Sequence, residues 1–287
     1  MTALDQLLGF ARDTIDPKAE PITAHTALAS GPVLRAATRH GPVIIKLHRT
    51  RERHDQEVHA YRHWTGVLGE RAPRLLAEHP DPPMVILSAL PGHPAAFLDL
   101  APDQEHALHA QAGSLLRMLH LAEPCRPDTD IAAWLCERGE RRLALAAAIL
   151  PAAQRAQFRA HLRALAALGP LPTVPCHLDF TPRNLLRDED GTVRLIDFEH
   201  ARHDLAARDL VRFEDRIWKR RPELKAAFLD TYGQLSDVDH AIIEHATHLD
   251  HLTAAVPLST GEAGPVGPLW ATTPQVHPVA QRGGALE

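Results

Sequence analysis

Apolar positions along this chain change period several times, and each change predicts an element. Residues 1–14 read as a short helix. Short apolar stretches over residues 22–28, 33–38 and 43–47, then 73–78 and 84–87, read as strands, enough for one sheet of common size. Between the third and fourth, residues 51–65 carry Val58, Tyr61 and Trp64 at i, i+3 and i+6, the buried stripe of a helix. Beyond residue 90 the period is mostly helical. Residues 103–121 turn Leu108, Leu115, Leu116 and Leu119 inward, and residues 130–168, rich in Ala and Leu, predict two helices broken at Pro151. Residues 169–175 read as a proline-studded entry to a loop, residues 205–256 as helical, and residues 257–287 as a Pro/Gly-rich tail lying on the core. The chain thus divides into 1–90, 91–256 and 257–287.

One departure from helical pattern carries chemistry. Leu185-Leu186 and the alternating run Val193 to Ile196 bracket a turn at Asp188-Glu189-Asp190-Gly191, which reads as a hairpin. Pro182 keeps a helix from running through the residues just before it. Asp179, Asn184 and Asp197 are thereby brought to one end of the hairpin. Phosphoryl transfer needs such a set: a carboxylate to orient a hydroxyl, and hard oxygen ligands for Mg²⁺.

These residues resemble the kinase superfamily, and most closely its aminoglycoside phosphotransferase and choline kinase group. His177, Asp179 and Asn184 match the loop H-x-D-x-x-x-x-N, and Ile196-Asp197-Phe198-Glu199 matches the metal motif. Asp204 and Asp209 look like the acidic pair of the next family segment, without its usual glycine and proline. The resemblance implies an α+β, bilobal protein-kinase-like fold, with a small antiparallel-sheet N-lobe and a larger, mainly helical C-lobe. It implies Asp179 as the catalytic residue, Asn184 and Asp197 as Mg²⁺ ligands, and ATP or GTP as co-substrate. His177 would brace the loop rather than react. Arg183 would meet the γ-phosphate, Asp179 or Glu199.

The same resemblance bears on the N-terminal part. Only four of the 31 basic residues are lysine, Lys18, Lys46, Lys219 and Lys225, so a retained lysine points to a need for a point charge. Lys46 ends an apolar strand and resembles the lysine that contacts nucleotide phosphates; the other reading is a strand-end lysine reaching solvent. Glu57, beside the apolar stripe, is the expected partner, with Glu52 as competitor. Ser30 and Gly31 form a short turn that could hold a phosphate oxygen or be an ordinary hairpin turn. Ser88 and Leu90 fall at the hinge where the adenine ring would bond backbone.

Composition narrows the rest. Hydrophobic residues make up 45% and charged residues 23%, as in a soluble globular protein with a sizeable core. No stretch approaches the length of a membrane span, and the N-terminus lacks the pattern of a signal peptide, so no membrane partner and a cytoplasmic location are expected. Cys125, Cys136 and Cys176 lack C-x-x-C spacing and read as reduced thiols. A net charge of −5 argues against nucleic acid and mildly favours a cationic partner.

A protein kinase is disfavoured, because residues 198–216 hold no Ser, Thr or Tyr. The excess of carboxylates from Glu199 through Asp204, Glu214 and Asp215 to Asp250 points instead to a cationic small-molecule acceptor. An aminoglycoside or a basic cyclic peptide of the capreomycin and viomycin kind fits that expectation. A metabolic amino-alcohol, sugar or homoserine-type kinase, or a nucleotide-binding protein without catalysis, stays open. His245, His248 and His251 drift around their helix and lack cysteine neighbours, so they are expected at a solvent edge or facing substrate rather than on zinc.

Overall fold

The structure, a computed structural model, describes residues 2–26, 31–129 and 131–255. Helix α1 (Ala3–Thr14) starts in a capping box, with the Thr2 hydroxyl accepting from Asp5 N–H and the Asp5 carboxylate accepting from Thr2 N–H. Strands β1 (Glu20–His25), β2 (Val33–Ala37) and β3 (Val43–Leu47) follow, then α2 (Arg51–His63), β4 (Leu75–Pro80) and β5 (Pro83–Ser88). The five strands form one antiparallel sheet in the order β1-β2-β3-β5-β4. Alternation along β3 decides what the sheet can do. Val43 and Ile45 face α1 and join Leu7 and Ala11 in one core, whereas Ile44 packs on the second, larger core. Lys46 shares the face of Ile44, the side on which α2 lies.

Past the hinge come β6 (His93–Pro94), α3 (Pro102–His120), β7 (Arg126–Thr129), α4 (Ile131–Leu145), α5 (Ala152–Ala166), β8 (Leu171–Cys176), β9 (Leu185–Arg187), β10 (Val193–Leu195) and β11 (Arg202–Asp204). The chain then runs through α6 (Val211–Phe213), a π-helical turn over Glu214–Trp218, α7 (Pro222–Tyr232) and α8 (Asp237–Ala255). β10-β9-β6 and β11-β8-β7 are two small sheets among the helices. The expected hairpin is present, with Val193 opposite Arg187 and Leu195 opposite Leu185. The break at Pro151 is present too, between a 3-10 turn at Ala146–Ala148 and α5.

The entry to the loop differs from expectation. Residues 171–176 are not an irregular lead-in but strand β8, paired on both sides. A proline lacks only its donor and can still accept, so β8 accommodates Pro172 and Pro175 between two short partners. The predicted tail, 257–287, and the strand end at 27–28 lie outside the described residues.

Gly113 makes the α3–α7 contact possible. A Cβ there would sit 2.3 Å from Phe228 O and 2.5 Å from Thr231 Oγ1. Alanine is the better helix former by about 1 kcal/mol. Overpacking against backbone costs about 1–3 kcal/mol and should win. Gly113→Ala is therefore expected to lower the denaturant midpoint; a raised midpoint would show that α3 and α7 can separate freely.

Candidate active site

Lys46 is held between two carboxylates. Its Nζ donates to Glu57 Oε1 at 2.8 Å and to Asp197 Oδ1 at 2.6 Å. Glu57 is fully buried, while Glu52 is exposed, so the structure brings Glu57 to the lysine and leaves Glu52 outside. Burial opposes the ammonium, yet Asp197 and Glu57 outweigh it and hold Lys46 well above the usual lysine range. Burial likewise opposes both carboxylates, and Lys46 still holds each below its usual value. His48 completes the set, its Nε2 2.6 Å from Glu57 Oε2. Sequence reading missed His48; its signal was the period of two that puts it on the Lys46 side of the strand end.

The loop between β8 and β9 carries the other residues. Asn184 Nδ2 donates to Asp179 O at 2.8 Å and to Asp179 Oδ2 at 2.7 Å. With its nitrogen committed, the Asn184 amide oxygen is left to face elsewhere. Ile196 N donates to Asn184 O at 3.0 Å, which ties the loop to the end of β10. Asp197 follows with φ 71°, a left-handed conformation that turns its carboxylate back toward Lys46. Asp197 Oδ2 accepts no hydrogen bond among the described residues. Asp197 Oδ2 and Asn184 Oδ1 are hard oxygen donors, so this donor set fits the Mg²⁺ expected there.

His177 and Asp209 set the loop's shape. His177 is fully buried, its Nε2 3.0 Å from Ile196 O and its ring 4.9 Å from that of Phe198. Asp209 accepts from the backbone N–H groups of His177 and Leu178 and lies 2.9 Å from His120 Nε2. Leu178 has φ 59°, costly for a residue with a side chain, and the bond to Asp209 holds it there. Burial opposes the charged form of Asp209, but His120 and His177 together outweigh it and keep its pKa low.

Several expectations need correction. Ser88 cannot offer its N–H to a nucleobase, because that group already donates to Arg74 O at 3.0 Å while its hydroxyl accepts from Arg74 N. The backbone of Leu90 carries no hydrogen bond among the described residues and stays available. Ser30 lies outside the described residues. Gly31 has φ 123°, and a Cβ there would fall 2.1 Å from Leu47 O, so only glycine lets this turn cross the end of β3. Arg183 is exposed; the guanidinium on Asp179 Oδ1 belongs to Arg212, and the one near Glu199 to Arg53 at 3.7 Å. Arg212 comes from α6, too far along the chain for local pattern to reveal.

The carboxylates expected to line an acidic acceptor wall each have a basic partner. Asp204 is fully buried and bonded by Arg202 and Arg208. Glu214 pairs with Lys225, Asp215 with Lys219 and His251, Asp250 with Arg212 and Arg216. Glu199 is buried between Arg53 and His200. Each carboxylate is engaged by a basic neighbour that sequence counting had set aside. His245 and His248 meet His161 of α5, with His161 and His248 stacked at 3.5 Å.

Residues 21–244 match the profile of a phosphotransferase enzyme family. No curated protein matches the chain in direct comparison. Among solved structures, macrolide 2'-phosphotransferase MphH from Brachybacterium faecium aligns at 17% identity, covering 88% of this chain and 90% of its own, with TM-score 0.59. Aminoglycoside phosphotransferase APH(3'')-Id from Streptomyces rimosus, in complex with ADP and streptomycin, aligns at 22% identity, over 88% and 99%, with TM-score 0.59. The streptomycin–ATP–APH(2")-IIa ternary complex aligns at 12% identity, over 89% and 90%, with TM-score 0.65. At these identities the likeness is one of fold. None of the helices among the described residues is long and apolar enough to cross a membrane.

Asp209 gives this site a stability signature. Asp209→Asn replaces one of two oxygens, each of which accepts a backbone N–H, with an amide donor, and should destabilise the fold by about 3 kcal/mol. The folded pKa values of Glu57, Asp197 and Asp209 lie below their unfolded ones. Their contribution is therefore full above about pH 5 and is lost as pH falls through the folded values. Urea midpoints measured from pH 7 to pH 3 should fall at the acid end, and Asp209→Asn should flatten that fall. A variant with wild-type midpoints and the same acid limb would contradict this role.

Proposed function

The chain belongs to the phosphotransferase enzyme family, and from that premise we propose that it transfers the γ-phosphoryl group of ATP or GTP to a hydroxyl of a small molecule. The observation that carries this reading is Lys46 Nζ bridging Glu57 and Asp197, with Asn184 and Asp179 joined on the loop tied to Asp197. Lys46, fixed by Glu57, places positive charge against the nucleotide phosphates. Asp179 aligns the acceptor hydroxyl and takes its proton as the new oxygen–phosphorus bond forms and the bond to the leaving ADP or GDP breaks. Asn184 holds Asp179 through its amide nitrogen. Asp197 and Asn184 would hold Mg²⁺, which would supply further positive charge for the phosphate oxygens. Because the transition state is loose, placement and charge provide most of the acceleration.

Solved proteins of this fold act on macrolides or bind streptomycin, gentamicin or spectinomycin, which supports an antibiotic as the molecule modified here. An aminoglycoside or a basic cyclic peptide was the acceptor expected from charge. Arg212, bonded to Asp179, weighs against a polycation, which would have to bring its ammonium groups close to a guanidinium. That contact favours the second reading, a metabolic small-molecule kinase.

Two variants test the roles. Asp179→Ala should lower kcat by about 10²–10⁴ with nucleotide affinity unchanged. Asp197→Asn should remove the Mg²⁺ dependence of nucleotide binding in a calorimetric titration. Normal turnover by the first, or equal affinities with and without Mg²⁺ in wild type, would refute the assignment.

A further inference from the structure

Next to Asp179 lies a cavity that the transfer chemistry leaves unexplained. It measures about 200 Å³, and its wall carries Arg53, Arg138, Arg142, Arg202, Arg208 and Arg212 against Asp209 and Asp250. Neither aspartate is free to pair with Arg138. Asp209 is bound to the loop backbone and His120, and Asp250 already bridges Arg212 and Arg216. Arg212 reaches both Asp250 and Asp179, so the cavity adjoins the catalytic carboxylate.

The far side of the cavity shows the imbalance most clearly. Arg202 and Arg208 both donate to Asp204 Oδ2, the same oxygen of a fully buried carboxylate. Arg138, from α4, has no carboxylate within ion-pair distance among the described residues. Its guanidinium carbon and that of Arg202 lie over the ring of Trp134, at 5.3 and 5.1 Å. Among the described residues, three guanidiniums thus gather around one carboxylate, and two positive charges are left over. Burial and the repulsion of Arg202, Arg142 and Arg208 push the pKa of Arg138 down to about 10, as expected for a cation held among cations. An indole can orient guanidiniums but cannot neutralise them. A planar fork is suited to two-point bonding of carboxylate or phosphate oxygens.

We propose that Arg138, Arg202 and Arg208 form an anion subsite for the acceptor, so that the molecule phosphorylated carries a carboxylate or phosphate group besides its reacting hydroxyl. This rests on the phosphotransferase reading of the neighbouring Asp179. The anion anchors one end of the acceptor at the Trp134 side, and the hydroxyl reaches Asp179 at the Arg212 side.

Inorganic phosphate and acetate serve as probes. Each is titrated at constant ionic strength into the full chain with the nucleotide side filled by a magnesium complex of a non-hydrolysable ATP analogue. The same titrations are run on Arg138→Gln, whose thermal midpoint is recorded, and on Arg138→Lys, which keeps the charge without the fork. Wild type should bind at least one probe, and the tighter of the two identifies the group the acceptor carries. Arg138→Gln should weaken that binding about tenfold or more, one charge-assisted bond being worth about 1.4 kcal/mol. Arg138→Lys should fall between, with analogue affinity the same in all three. Phosphate and acetate both failing to bind wild type, or binding Arg138→Gln equally well, would overturn the subsite. Efficient phosphorylation of streptomycin by wild type, unaffected by added phosphate or acetate, would overturn it too. If the ATP analogue itself fails to bind, the phosphotransferase roles fall, and the two probes still report on the subsite by themselves.

Discussion

A buried ammonium shared by two carboxylates is the interaction on which this site depends. Lys46 sits on the central part of the N-terminal sheet, Glu57 on α2 and Asp197 past β10, residues that the chain separates by as many as 151 positions. Taking such charges out of water is costly unless the geometry is close and every oxygen has a partner. The structure meets that condition for Nζ and for Glu57, with short contacts on both sides of Nζ and His48 on the second oxygen of Glu57, and leaves Asp197 Oδ2 open. Removing Lys46 would leave two buried carboxylates without their shared cation. The ion cluster therefore fixes the sheet, the helix and the hairpin relative to one another, and a nucleotide would find its phosphate contacts already in place.

The second constraint is the shape of the loop that holds Asp179. Leu178 in a left-handed conformation, Asp197 in another, and a histidine buried beneath them would not hold together by local preference. Asp209 supplies the missing bonds from a 3-10 turn over Ala206–Leu210. Packing of Phe180, Phe213, Trp218 and Phe228 lies beneath, with Gly113 allowing α3 to close against α7. The polar site rests on this aromatic core, which explains how a loop can be rigid enough to place a proton acceptor.

Much of this could be read in the chain because spacing within a loop or strand reports local geometry. His177, Asp179, Asn184 and Asp197 lie within about one hairpin, and Lys46 and Glu57 each mark an apolar period. What could not be read was which charges pair. Carboxylates from Glu199 to Asp250 look like an acidic surface when counted, yet folding gives Asp204 to Arg202 and Arg208, Glu214 to Lys225 and Asp250 to Arg212 and Arg216. Arg212 on Asp179 joins residues 33 positions apart through tertiary packing alone. Strand β8 was hidden for a different reason: its prolines carry a loop signal, and pairing on both sides overrides it.

The central claim is that Lys46 and Asp197 act as one unit in holding the nucleotide. A double-mutant cycle on magnesium–ATP affinity, with Lys46→Met, Asp197→Asn and the pair, measures that coupling directly. The account predicts losses that are strongly non-additive, with a coupling of about 1 kcal/mol or more. Independent, additive losses would contradict it.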